Sequence, residues 1–109
     1  MSASTFAGVL LALTGSLIAL PAQAGDAVAG RAKAVQCQAC HGTNGIATLP
    51  EAPNLAGQSE VYFVKALTEY RSGARRDEMM SFIAKPLSDA DIANLAAYFH
   101  GIEISVAKP

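Results

Sequence analysis

Apolar and polar positions recur with helical spacing in three stretches of the chain, and no stretch alternates with the two-residue period of a strand. The last stretch is the clearest. Ile92, Leu95, Ala96 and Phe99 fall at i, i+3, i+4 and i+7 and form one apolar stripe on a helix. Ser88 precedes it as N-cap with Asp91 three residues on, a capping-box pair in which Asp replaces the usual Glu, and Gly101 closes it. A second helix is predicted from near Ser59 through Val61, Tyr62, Phe63, Val64 and Leu67 to Gly73, which suits a left-handed C-cap. Asp26 caps a first helix, Ala27 to about Gln36, on which Ala27, Gly30 and Ala34 share one face without bulk, so that another helix can approach closely.

Between these stretches, residues 42–57 (GTNGIATLPEAPNLAG) are rich in Gly, Pro, Asn and Thr and read as a long irregular loop. Residues 74–86 read as a second loop, and 102–109 carry no clear pattern. Loops of this length usually carry function. The pattern predicts an all-α domain with two functional loops.

Ahead of the first helix, Phe6 to Leu20 is an uncharged run dominated by Leu and Ala, and Pro21-Ala22-Gln23-Ala24 follows as an A-x-A-like cleavage site. The run falls short of the roughly 20 residues that span a bilayer. It predicts an export signal cut after Ala24, with 25–109 as the mature domain and a periplasmic location. Met1 to Thr5 contains no Lys or Arg, a departure from the usual basic start; a buried helix or an uncleaved anchor is the competing reading.

Composition narrows the function. With 109 residues there is room for one small domain, and 8 basic against 9 acidic side chains give a net charge of -1. That balance offers neither a basic face for nucleic acid nor an acidic tail. So small a domain, with no Trp, buries proportionally little surface, and a large apolar cofactor would supply much of the missing core. In an exported chain the two cysteines should be joined or otherwise consumed.

Those cysteines stand in Cys37-Gln38-Ala39-Cys40-His41, a C-x-x-C-H motif. Two thiols three positions apart on a helix can add to the two vinyl groups of one haem, while the adjoining imidazole is placed over the iron. Three other readings compete. A C-x-x-C redox pair wants a βαβ context, which the pattern does not provide. A zinc site lacks ligands beyond His100. A plain disulfide leaves His41 unexplained.

The motif CQACHG at 37–42, PNLAGQ at 53–58 followed by Tyr62, MMSF at 79–82 and LSDADIANLAAYF at 87–99 together resemble the class I cytochrome c family, and within it the small bacterial cytochromes of the c4 and c553 type. The resemblance covers nearly all of the mature chain. It implies a helical bundle around one covalent haem c, with the first and last helices crossing closely. It also implies a second axial ligand from the loop before the last helix, seven residues ahead of Leu87, which falls on Met80 in preference to Met79. By the same resemblance the carbonyl of Pro53 accepts the proton of the His41 imidazole, and Tyr62 lies near the haem. The site expected is therefore Cys37, Cys40, His41, Met80, Pro53 and Tyr62, with His41 and Met80 on the iron. Ala47-Thr48-Leu49 has no counterpart in the family pattern. His100 is expected to be an exposed helix end, and Arg71, Arg75 and Arg76 to be solvated surface.

These features imply a single-electron carrier that meets redox protein partners, donor and acceptor complexes at a membrane included, through an exposed haem edge rimmed by Ala47, Leu49, Met79, Phe82 and Ile83. An electron-accepting subunit fixed on a periplasmic dehydrogenase, such as a flavocytochrome that oxidises sulfide, is the alternative. A haem peroxidase would need an open iron position, against which Met80 argues. The chain is thus read as a carrier and not an enzyme.

Overall fold

Capping and close packing account for most of the architecture seen in the computed structural model, which describes residues 1–2, 4, 15–18 and 24–109. Of the expected leader, 1–24, all but residues 1–2, 4, 15–18 and 24 lie outside the described residues. Among those described there is no strand, and no helix is long and apolar enough to cross a membrane.

The Asp26 carboxylate accepts from the Val28 and Ala29 amides and starts α1, Ala27–Lys33. The first helix does not run smoothly to Gln36 as expected. It tightens into a 3₁₀ turn over Ala34–Cys37 and resumes as α2, Gln38–His41. Ser59 caps α3, Glu60–Ser72, and Gly73 ends it with φ 86° and ψ 3°. The last helix, α5, Asp89–His100, carries the full capping box between Ser88 and Asp91.

One expectation is corrected. Residues 74–86 are not simply a loop but contain α4, Glu78–Ala84, capped by the Asp77 carboxylate. A seven-residue helix is too short to show a periodic stripe, and its one local signal was Asp77 ahead of Glu78.

α1 lies across α5, α3 packs on α5, and α4 packs on α3. Gly30 is where α1 and α5 come closest: a Cβ there would run into the Asn94 carbonyl and sit 2.9 Å from Cβ of Tyr98. The Asp26 amide donates to Asn94 Oδ1 at 2.8 Å, and Lys33 pairs with Asp91 at 3.4 Å. Ala34 is buried on this face as expected, whereas Ala27 is exposed and does not share the contact. The core is built from Ala34, Phe63, Leu67, Ala84, Leu87 and the α5 stripe, with Phe63 stacked on Phe99 at 5.4 Å. Arg71, expected at the surface, instead donates to the Leu87 carbonyl (2.9 Å) and to Asp89 (2.6 Å), pinning α3 to the start of α5.

Candidate functional site

The C-x-x-C-H segment lies on the last turns of the first helical stretch, so its side chains are held by helical backbone. Cys37 and Cys40 are free and half-buried. Burial pushes the Cys37 thiol up to about 11, so it is protonated at neutral pH. A dithiol redox pair needs the opposite, a thiol of lowered pKa. Among the described residues no group of three or more His, Cys, Asp or Glu is placed to hold a metal ion.

Gly42 turns the chain immediately after His41. Its φ of 81° and ψ of 157° belong to a region essentially reserved for glycine, and a Cβ would meet the Ile46 carbonyl. The loop then doubles back over the end of α2. The Thr48 and Leu49 amides donate to the Cys40 carbonyl (3.1 and 3.4 Å), and Thr48 Oγ1 donates to the Ala39 carbonyl (3.2 Å). These carbonyls lie at a helix end and have no intrahelical partner. Thr48, from the stretch without a counterpart in the family pattern, is therefore what joins loop to helix. Further on, Asn54 Oδ1 accepts from the Ala47 amide (2.8 Å), and the Leu55 and Ala56 amides donate to the Gly45 carbonyl (2.7 and 3.0 Å).

So folded, the loop holds the Pro53 carbonyl 2.8 Å from His41 Nδ1. A carbonyl oxygen can only accept, so Nδ1 is the donor of this bond, and in the neutral ring the lone pair then lies on Nε2. His41 is only 6% exposed, the one buried polar side chain among the described residues. The bond holds the ring in one orientation, with Nδ1 engaged by the loop.

The two methionines differ. Met80 is half-buried and packs on the core that Cys37 also touches, whereas Met79 is 58% exposed. The Met80 amide donates to Asp77 Oδ1 at 2.8 Å, and the Asp77 amide donates to Ser81 Oγ at 3.2 Å, which fixes the backbone that carries Met80. Phe82, on the same helix, is 74% exposed and borders two shallow hollows. One is shared with Glu78 and Met79; the other reaches Gln36, the residue before Cys37. Gln36, just ahead of the C-x-x-C-H segment, and Phe82 and Ile83 of α4 thus line one hollow.

Tyr62 is about half exposed, and its Oη accepts from Arg75 Nη1 at 3.2 Å. His100 is exposed as expected, with Nδ1 2.9 Å from the Gln58 carbonyl. The structure thus brings His41 and Pro53 into contact and seats Cys37 and Met80 on one core, while Tyr62 is engaged by Arg75. Sequence reasoning missed Thr48, Asn54 and Asp77, all short polar side chains whose partners lie several residues away.

Two thiols and an oriented imidazole within five residues, with a thioether on the same core, form a donor set that fits haem c. The family model for cytochrome c oxidase, cbb3-type, subunit III matches residues 21–99. Cytochrome c4 of Pseudomonas aeruginosa is 45% identical over 98 residues, covering 90% of this chain and 49% of that protein. Cytochrome c-554(548) of Halomonas halodenitrificans is 46% identical over 83 residues, covering 73% of this chain and the whole of that protein. Among solved structures, reduced recombinant cytochrome c4 from Pseudomonas stutzeri superposes with a TM-score of 0.70 at 40% identity, over 76% of this chain and 48% of that one. The chain spans about half the length of the cytochromes c4 that it matches. Motif, helical fold and these likenesses agree: the chain belongs to the class I c-type cytochromes, is c4-like, and binds haem c covalently.

Proposed function

We propose that the chain is a periplasmic carrier of single electrons whose haem is attached through Cys37 and Cys40 and ligated by His41 and Met80. The observation that carries this reading is the pairing of the Pro53 carbonyl with His41 Nδ1, which leaves Nε2 as the available donor. The bound haem supplies the one-electron couple between its ferrous and ferric states. Cys37 and Cys40 contribute their sulfurs to the thioether links and so fix the orientation of the macrocycle. His41, made more basic by donating to Pro53, would be the stronger donor to the iron. Met80 contributes a soft, weak thioether that favours the reduced state and raises the potential relative to bis-His ligation.

The apolar rim supports exchange with a protein partner. Phe82, Met79 and Leu49 are exposed and stand ready for such a contact. Weak redox encounters bury less than about 1,200 Å² in total, and a small apolar patch suits that scale and permits rapid release. With charge nearly balanced, docking depends little on electrostatic steering.

The test is redox titration of the haem-loaded protein followed by stopped-flow reduction across a range of salt concentrations. A single one-electron wave with a rate that falls little with ionic strength is expected. A steep fall would sink the apolar docking surface, and rapid peroxide or sulfur-compound turnover by the isolated chain would sink the carrier reading. Stable co-purification with a dehydrogenase would favour the fixed subunit over the free carrier.

A further inference from the structure

Arg75 lies at the surface as expected, and its guanidinium makes two specific contacts there. Nη1 donates to Tyr62 Oη at 3.2 Å, thirteen residues back along the chain, and Cζ lies 4.8 Å from the centroid of the Tyr70 ring. The Arg75 amide also donates to the Glu69 carbonyl at 3.1 Å. The side chain therefore folds back along α3 and grips it at both a phenol oxygen and an aromatic face. A guanidinium can satisfy both because it is planar: the edge donates while the face stacks.

What this grip restrains is the connection to α4. Gly73 leaves α3 in a left-handed conformation, and only Gly73 to Asp77 separate the two helices. Arg75 stands in the middle of that connection, and two residues later Asp77 receives the Met80 amide. The path from the grip to Met80 is short and hydrogen-bonded at its far end. We propose that Arg75 is a positioning residue for the sixth ligand: by clamping the α3–α4 connection to Tyr62 and Tyr70 it holds Met80 in place and keeps its bond to iron closed. This rests on the Met80 ligation proposed above. A thioether binds iron weakly, so restraint of the segment carrying it governs how often the bond opens.

The test uses ferric holoprotein and exogenous imidazole, which takes the sixth position when Met80 leaves. Wild type, Arg75→Gln, Tyr62→Phe and the double variant are titrated by following the methionine–iron charge-transfer band, with denaturant midpoints measured in parallel. The two single variants are each expected to bind imidazole about threefold to tenfold more tightly, the scale of one hydrogen bond. The double variant should show little more than the larger single effect, because both changes break the same contact. Imidazole affinity unchanged in Arg75→Gln and Tyr62→Phe, additive effects, or a rise that follows only the loss of global stability each overturn the clamp. Absence of the band in wild type overturns the Met80 ligation, and the clamp with it. Because Arg75 and Tyr62 are both solvent-exposed, the variants are expected to fold.

Discussion

His41 Nδ1 donates to the carbonyl of Pro53 across 2.8 Å, although the two lie twelve positions apart along irregular chain. The contact depends on Gly42, on the Thr48 and Leu49 amides at the Cys40 carbonyl, and on Asn54 holding the Ala47 amide. A stronger bond at Nδ1 makes the imidazole a better donor to the oxidised metal. Replacing Asn54 with Ala loosens the loop that presents the Pro53 carbonyl. The expected outcome is a raised reduction potential, read by redox titration; a lowered or unchanged potential would show that the loop does not govern His41.

Met80 and Met79 are adjacent but face different surroundings, core against solvent. Met80→Ala should abolish the methionine–iron band, lower the potential and cost about 1–2 kcal/mol of packing, less than a fully buried Met. Met79→Ala should leave band and stability nearly unchanged. A band that survives in Met80→Ala and disappears in Met79→Ala would reverse the assignment.

Haem attachment is checked without spectroscopy of the ligands. Acid-acetone should leave haem with the protein in wild type and release it from a Cys37→Ala, Cys40→Ala double variant. Haem passing into the organic layer from wild type would exclude thioether links.

At the crossing of α1 and α5, Gly30→Ala should destabilise the domain by about 1–3 kcal/mol, because the new methyl meets the Asn94 backbone rather than a flexible side chain. Equilibrium denaturation measures this. A loss of only a few tenths would mean that the helices separate at little cost.

The Asp91 carboxyl is held below its ordinary value, first by hydrogen bonds from the Ser88 backbone and side chain and then by Lys33. A carboxyl lowered on folding stabilises the folded state above its unfolded pKa of about 3.9, and that contribution disappears as pH falls through the lower folded value. Asp91→Asn should therefore cost stability at pH 7 and flatten the acid limb between about pH 4 and the folded value. Ser88→Ala should cost about 1 kcal/mol. Thermal melts from pH 7 to pH 2 check both; an acid limb in Asp91→Asn as steep as that of wild type would count against the linkage.

Local chemistry settled much of this protein in advance. The stripe from Ile92 to Phe99, the caps at Asp26, Ser59 and Ser88 and the stop at Gly73 each involve residues a few positions apart, so the sequence by itself determined where three helices start and where α3 ends. The C-x-x-C-H spacing is likewise local, because neighbouring residues on one helix must reach one haem. Contacts between distant residues were decided only by the tertiary structure. Asp77 could be seen as a cap only once α4 existed, and Arg71 became a pin only when α3 met α5. Thr48 closes the end of α2, and Arg75 reaches Tyr62, because folding places donors beside acceptors that sequence spacing does not pair. The different burial of Met79 and Met80 is of the same kind. The family spacing favoured Met80, and burial separates the two because a helix turns adjacent residues to different faces, which becomes core or solvent only when a partner helix covers one of them.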